Sequence, residues 1–262
     1  MKRIVHRVAA GTLAAMLALT AQAQDAIKEI RIAVPDLSAT TQHSGGGIID
    51  VLRSQQIFEQ AFAADGIKIQ WNFFNGAGPA VNEALANQQV DLAYLGDLAA
   101  IIGKANGLDT RLLSATMRDV RLYLGVLPGS GIKTLADLKG KRVAIFRGTA
   151  YQLSFDAALA SQGLSERDLQ VINLDANGAA AALAAKQIDA TWGGSGLISL
   201  QQRGLAEVPL STDDLAGAGS VQTVLLGAGA FVDQHPELVA RILHAQQQAG
   251  AGCGTNSTSR PM

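Results

Sequence analysis

Six short segments rich in glycine and small hydroxyl residues each follow a predicted strand and open a predicted helix. They lie at residues 36–47, 75–79, 96–97, 147–150, 177–178 and 193–196. The first N–H groups of a helix have no acceptor within it, and the helix dipole makes that end partly positive, so such loops attract anions. Any single glycine could simply end its strand. The recurrence of the pattern in both halves of the chain favours a ligand site, and we expect these helix starts to converge on one cleft that binds an anion.

The same loops do not match the motifs of common enzymes. The segment GGSGL ends in Leu197, where a nucleophile elbow requires glycine. The segment GAGPAV ends in Val81, where the dinucleotide-binding fingerprint requires glycine or alanine. His235 and His244 have no carboxylate or cysteine at metal-ligand spacing. The sequence therefore predicts a binding protein without metal or cofactor, and not an enzyme.

The elements that must position these loops alternate between strands and helices. In the first half, strands are predicted at residues 29–34, 67–74 and 90–95, and helices at 48–64, at 79–88 and from 98 onward. In the second half, strands are predicted at 141–146, 169–174 and 188–192, and helices at 151–162 and 179–185. This order is typical of a mostly parallel sheet flanked by helices, so we predict an α/β fold with two lobes of one architecture.

The two halves also match residue by residue when they are aligned so that residue 89 corresponds to residue 187. The segment QVD at 89–91 corresponds to QID at 187–189, and Tyr94 corresponds to Trp192. Two further strands, predicted at 121–128 and 221–228, would cross between the lobes, and a helix is predicted at 236–248. Two lobes joined by a two-strand hinge can close over a ligand.

Composition and the N-terminus restrict the class of protein further. Hydrophobic residues make up 48% of the 262 residues and charged residues 16%, which excludes a disordered chain. The 21 basic and 22 acidic residues nearly cancel, so bulk charge does not predict nucleic-acid binding. Residues 1–23 combine a basic start, a short apolar run and the small-residue site AQA, which is typical of a cleaved signal peptide. We therefore predict export, with the mature chain beginning at Gln24.

Several longer motifs carry a resemblance to a known family. They are Gly96-Asp97 after a VDxxY strand, KTLADLKGKRVA at residues 133–144, and FVDQHPE at residues 231–237. In these segments the chain resembles the periplasmic solute-binding proteins of ABC importers, in the branch that serves aliphatic sulfonates, taurine, nitrate and related small anions. The resemblance extends from residue 30 to residue 245.

The resemblance implies a two-lobe periplasmic-binding-protein fold that closes on a small anion and delivers it to a membrane permease. It also implies that ligand contacts fall on the strand-to-helix loops, at Ser44, Gly45, Gly76, Gly78, Gly96, Asp97, Gly148, Thr149 and Ser195. Arg147 is the strongest charged candidate and Arg118 the second, although either could instead pair with Asp97. Trp192 would line the cleft or lie in the core. We expect a periplasmic monomer that requires no cofactor and no nucleic acid.

The predicted organisation has five segments. They are a signal peptide at 1–23, the first part of lobe one at 24–120, lobe two at 121–215, a return to lobe one at 216–248, and an atypical tail at 249–262. Chains of the family continue with further helices, and a truncated or frame-shifted end would produce this tail, so we expect exposed apolar surface on lobe one. Trp192-Gly193-Gly194 stands where family members often carry Trp-Asp-Pro, so the wall of lobe two is expected to differ.

Two alternative functions remain open at this stage. An exported ligand-sensing domain would use the same cleft, and the sequence does not separate it from a transport receptor. An enzyme on the same fold, such as the related pyrimidine-precursor synthases, would require reactive histidine and cysteine clusters that this chain lacks.

Overall fold

A computed structural model describes residues 27–37, 43–215 and 220–254, with side chains described as far as residue 251. The strands are β1 Glu29–Pro35, β2 Lys68–Phe74, β3 Leu92–Gly96, β4 Thr110–Val120, β5 Tyr123–Val126, β6 Arg142–Ile145, β7 Gln170–Asn173, β8 Ala190–Gly193, β9 Glu207–Ser211 and β10 Val221–Ala228. The helices are α1 Gly47–Ser54, α2 Ile57–Phe62, α3 Ala77–Ala86, α4 Asp97–Ala105, α5 Ala150–Ser161, α6 Ala176–Ala184, α7 Gly196–Gln202, α8 Gly229–Gln234 and α9 Pro236–Gly254. Within these ranges, no helix is both long enough and apolar enough to cross a membrane.

The strands form two five-stranded sheets of the same design. Lobe one is built on the sheet with strand order β2-β1-β3-β10-β4, and lobe two on the sheet with order β7-β6-β8-β5-β9. In each sheet three strands are parallel, and a fourth strand then pairs antiparallel, β10 with β3 and β5 with β8. The predicted α/β fold with two lobes is confirmed.

The internal repeat places the same ion pair in both lobes. In lobe one, Arg31 donates to Asp91 from its backbone N at 2.7 Å and from Nη2 at 2.6 Å. In lobe two, Arg142 donates to Asp189 from the same two groups, at 2.8 Å and 2.9 Å. Each ion pair joins the first parallel strand of its lobe to the residue just before the third parallel strand. The matching aspartates are therefore structural and do not belong to a ligand site.

Each lobe has its own apolar cores on both faces of its sheet, since helices cover both faces of such a sheet. In lobe one, Ile32, Phe58 and Tyr94 are buried together with residues of α9. In lobe two, Phe155 of α5 packs against Trp192 of β8, with ring centroids 5.7 Å apart. Burying a large apolar side chain of this kind contributes about 1.5–3 kcal/mol.

The lobes are joined by an antiparallel ribbon of β4 and β10, which differs from the hinge predicted from the sequence. The ribbon extends from the pair Thr110 and Ala228 to the pair Val120 and Val221, with three irregularities of register. The predicted strand at 121–128 is shorter, and as β5 it lies wholly within lobe two. Strand β4 was not predicted, because its register shifts break the alternation of apolar and polar residues that marks a half-buried strand. Val221 also packs into the core of lobe two, so the ribbon is anchored in both lobes.

Other predictions were wrong in detail. The single helix predicted at 48–64 is divided into α1 and α2, because Gln56 between them has a left-handed backbone with φ of 53°. Helix α9 continues to Gly254, so the change of composition at residue 249 does not end it. The predicted signal peptide and residues 255–262 lie outside the described residues. In lobe one the side chains of Leu112 and Ile101 are 69% and 60% exposed.

Candidate functional site

A cavity of about 100 Å³ lies where the strand-to-helix loops of the two lobes meet. Lobe one contributes the end of β1 and the starts of α3 and α4, and lobe two contributes the start of α5. The β4–β10 ribbon completes the wall. The lining residues are Pro35, Leu37, Gly45, Ile49, Ala77, Gly78, Tyr94, Leu95, Gly96, Ala99, Met117, Val120, Phe146, Thr149, Ala150, Tyr151, Val221 and Thr223.

The wall of this cavity is largely apolar, and no described residue in it has a charged side chain. Four of the lining residues carry hydroxyl groups, and these are Thr149, Thr223, Tyr94 and Tyr151, although that of Tyr94 already donates to Oε1 of Gln246 at 2.8 Å. Thr149 donates its hydroxyl to the carbonyl of Phe146 at 2.6 Å, and the hydroxyls of Thr223 and Thr116 lie 2.9 Å apart. Burial raises the pKa of the Tyr94 and Tyr151 hydroxyls, so both stay neutral at physiological pH. The cavity can therefore offer hydrogen bonds and apolar contact to a ligand, but no side-chain cation.

Helix starts supply the partial positive charge that the side chains lack. The N-cap of α5 is Thr149, whose side chain donates to the carbonyl of Phe146 and accepts no hydrogen bond from the N–H groups of the helix. The first N–H groups of α5 therefore have no side-chain cap and can bond to a ligand that enters the cavity. At α4, Asp97 accepts from the N–H of Leu98 at 2.8 Å, so one donor there is already used.

The first loop of lobe one differs from the sequence prediction, because its N–H groups already have acceptors. The carboxylate of Asp50 accepts from the hydroxyl of Ser44, from the N–H of Gly45 at 3.0 Å and from the N–H of Gly46 at 3.2 Å. This carboxylate occupies the position that an anion would take at the start of α1. The N–H groups of Gly45 and Gly46 are therefore not open to a ligand.

Two of the glycines that were predicted to contact a ligand lie where the two lobes touch. A Cβ atom added to Gly96 would lie 2.7 Å from Cβ of Ala150 in the other lobe. A Cβ atom added to Gly148 would lie 3.0 Å from Cγ of Pro79, and Gly148 also has a left-handed φ of 74°. The lobes touch at these positions, and any larger residue would push them apart.

The structure brings some of the predicted site residues to the wall and not others. Gly45, Gly78, Gly96 and Thr149 line the cavity. Four more are chain neighbours of lining residues without being on the wall themselves, and these are Ser44, Gly76, Asp97 and Gly148. Ser195 is exposed at the start of α7 and is not among the lining residues.

Arg147 and Trp192 lie away from the cavity wall. The guanidinium of Arg147 forms an ion pair with Glu166, and it does not pair with Asp97. Trp192 is 2% exposed, belongs to the core of lobe two, and donates from Nε1 to the hydroxyl of Ser154 at 3.3 Å. For Trp192 the structure favours the core interpretation over the cleft. Arg118, the second charged candidate, is exposed on β4 and is likewise absent from the wall.

Sequence reasoning missed the part of the wall that comes from the hinge. Met117 and Val120 of β4 line the cavity together with Val221 and Thr223 of β10. No motif marks these residues, because they reach the cavity only through the pairing of two strands that are about a hundred residues apart in the chain. Within the described ranges, no three His, Cys, Asp or Glu side chains gather as they would to bind a metal ion.

Comparison with known proteins places the chain in a family. The model of the family described as NMT1/THI5 like matches residues 62–253. The chain belongs to the NMT1/THI5-like family. A relative from Bacillus subtilis, named as a candidate aliphatic sulfonates-binding protein, is 28% identical over 225 residues, which cover 85% of this chain and 64% of the relative. A relative from Escherichia coli with the same name is 30% identical over 213 residues, which cover 76% of this chain and 61% of the relative.

Solved structures of similar proteins share the fold of this NMT1/THI5-like chain. The alkanesulfonate-binding protein SsuA from Xanthomonas axonopodis, determined with bound MOPS, has a TM-score of 0.71 and 27% identity, covering 85% of this chain and 73% of that one. The periplasmic aliphatic sulphonate binding protein SsuA from Escherichia coli has a TM-score of 0.68 and 26% identity, covering 87% and 75%. These similarities confirm the resemblance to solute-binding proteins of ABC importers, and the relatives are named as binding proteins and not as enzymes. The chain spans less than two thirds of the length of either relative from Bacillus or Escherichia.

Proposed function

We propose that this chain is the exported receptor of an ABC importer and that it captures a small organic sulfonate between its two lobes. The observation that carries the proposal is the apolar cavity between the lobes, into which the uncapped start of α5 opens. Family membership and the names of the relatives support a sulfonate as the ligand. Delivery to a membrane permease completes the proposed role.

The sulfonate headgroup and the organic tail of such a ligand would contact different parts of the cavity. The sulfonate oxygens would accept from the first N–H groups of α5 and from the Thr149 hydroxyl, which can turn away from the Phe146 carbonyl. The organic tail would pack against Leu37, Met117 and Val120. Burial of each methylene of the tail would contribute about 0.8 kcal/mol.

Capture requires that the lobes separate and close, and the connections between them permit this. We propose that lobe one comprises residues 24–120 and 216–248, that lobe two comprises 121–215, and that the β4–β10 ribbon bends between them. The irregular register of the ribbon would ease this bending, since each irregularity interrupts the ladder of hydrogen bonds. Export to the periplasm as a monomer is part of the same proposal.

The proposal is tested by thermal unfolding of the purified protein with methanesulfonate, butanesulfonate, taurine, nitrate, bicarbonate and sulfate. A ligand at a hundredfold excess over its Kd stabilises the folded state by about 2.7 kcal/mol, which raises the midpoint by several degrees. We expect the organic sulfonates to give the largest shift. A protein that unfolds cooperatively with the same midpoint in all six solutions would overturn the proposal.

Two threonine variants test whether the sulfonate binds in this cavity. Thr149→Ala removes a hydroxyl from the cavity wall and should weaken sulfonate binding about tenfold. Thr110→Ala is the matched control, because Thr110 is buried to the same extent, with 8% exposure for both residues, but lies outside the cavity. Equal loss of binding in the two variants would mean that the sulfonate does not bind where we place it.

A further inference from the structure

We infer that the cavity selects anions by charge, admitting a singly charged headgroup and rejecting a doubly charged one with the same tail. A sulfonate would therefore bind, whereas the dianion of the corresponding phosphonate would not. The inference rests on the proposed function, because it concerns the same cavity, and it adds a rule of selection that family membership does not supply.

The first observation is the lack of a cation at the cavity wall. None of the described lining residues has a charged side chain. Arg147 follows the lining residue Phe146 in the chain, but its guanidinium is already paired with Glu166. Among the described lining residues, a second negative charge on a ligand would therefore find no side chain that neutralises it.

The second observation is that two acidic residues are neighbours of lining residues in the chain. Asp36 lies between the lining residues Pro35 and Leu37, and its carboxylate is 2.6 Å from Nδ1 of His43. Asp97 follows the lining residue Gly96 and opens α4. Every further negative charge on the ligand would add repulsion from these groups.

The third step is a comparison of charges. The start of a helix carries the equivalent of roughly half a positive charge, and α3, α4 and α5 all begin at the cavity wall. Together they supply roughly one and a half positive charges, and Asp97 cancels roughly one of them. The remainder falls well short of the two negative charges of a dianion and is closer to the single charge of a monoanion. The cost of removing an ion from water grows with the square of its charge, so it is roughly four times greater for a dianion.

The experiment compares butanesulfonate with butylphosphonate by calorimetric titration at about pH 5.5 and about pH 9, below and above the second ionisation of the phosphonate. We expect the Kd of the sulfonate to change by less than about threefold between the two pH values. The phosphonate should bind like the sulfonate at low pH and about tenfold more weakly at high pH, where only a small fraction of it remains singly charged. The ratio of the two Kd values at each pH cancels any change in the protein itself.

A variant with an added cation tests the electrostatic cause. Leu37 lines the cavity and is 42% exposed, so Leu37→Lys places an ammonium group at the wall without disturbing the core. It should raise the affinity for the phosphonate dianion at least about tenfold relative to the sulfonate. Leu112→Lys is the control, because Leu112 is 69% exposed on β4 and does not line the cavity. It should leave the ratio unchanged.

The possible results separate the inference from the proposed function. If the phosphonate dianion binds as tightly as the sulfonate, the inference is overturned and the proposed function stands. If Leu37→Lys changes the ratio no more than Leu112→Lys does, the electrostatic basis of the inference is overturned. If neither anion binds at either pH, the proposed function itself fails, and the inference fails with it.

Discussion

Gly96 of lobe one and Ala150 of lobe two meet so closely that a methyl group on Gly96 would lie 2.7 Å from Cβ of Ala150. That distance is well inside the van der Waals contact of two carbon atoms. This contact between the lobes therefore depends on the absence of a side chain at position 96, on the wall of the cavity.

Gly96→Ala should hold the lobes apart and weaken sulfonate binding at least about tenfold. The midpoint of thermal unfolding without ligand should change little, because each lobe keeps its own core. Calorimetry measures the affinity, and X-ray scattering with and without ligand measures closure. Gly193→Ala is the control, since its added Cβ would lie 3.4 Å from Leu197, an ordinary contact. Unchanged binding by Gly96→Ala would contradict the proposed role of this contact.

Arg147→Gln should leave ligand affinity within about twofold of the unmodified protein. The guanidinium is half exposed and pairs with Glu166, away from the cavity wall, so its loss should cost only about 0.5–1 kcal/mol of unfolding free energy. Calorimetric titration with butanesulfonate measures the affinity, and urea unfolding measures the unfolding free energy. A tenfold weaker affinity would show that Arg147 reaches the ligand after all, as the sequence had suggested.

Asp156 makes the stability of lobe two depend on pH. Its partial burial, followed by repulsion from Glu166, raises its pKa to about 6. Between its ordinary pKa near 3.8 and about 6, the folded state binds more protons than the unfolded state. The contribution of this group to stability therefore falls as the pH rises through that range, and it stays low above it.

Asp156→Asn keeps the shape of the protonated side chain at every pH. Because the site is partly exposed and solvent screens it, we expect the variant to be more stable than the unmodified protein by at most about 1 kcal/mol at pH near 7.5. At pH near 4 the gain should be much smaller. Urea unfolding at both pH values measures the difference. A gain that is equal at both, or larger at the lower pH, would contradict the raised pKa.

Gln56 has a left-handed backbone between α1 and α2, with φ of 53°, which costs a residue with a side chain more than it costs glycine. Gln56→Gly should therefore stabilise the protein by about 0.5–1 kcal/mol, as measured by urea unfolding. The adjacent Gln55 has an ordinary φ of −93°, so Gln55→Gly is the matched control and should destabilise the protein. Destabilisation by both substitutions would contradict the expected relief of strain.

Local patterns in the sequence predicted the parts of the fold that depend on neighbouring residues. The alternation of strands and helices and the internal repeat both appear in the structure, where Asp91 and Asp189 form equivalent ion pairs. Gly96 and Thr149, which the sequence predicted to contact a ligand, line the cavity, and their contact with a ligand stays a prediction. In each case the signal lies within a few residues of the feature that it predicts.

The remaining features depend on contacts between distant parts of the chain. Met117 reaches the cavity only because β4 pairs with β10 across the hinge. Arg147 is held away from the cavity by Glu166, and Asp50 satisfies the N–H groups of a loop that would otherwise attract an anion. Neither carboxylate forms a motif with its partner, so the sequence alone could not show that these groups are occupied.

The central claim, that a sulfonate binds in the cavity between the lobes, is tested most directly by a crystal structure with 4-bromobutanesulfonate. The anomalous signal of bromine locates the tail independently of the rest of the map. We predict a bromine peak among Leu37, Met117 and Val120, with the sulfonate against Thr149 and the start of α5. A peak elsewhere on the protein, or no peak at a concentration far above the measured Kd, would contradict the claim.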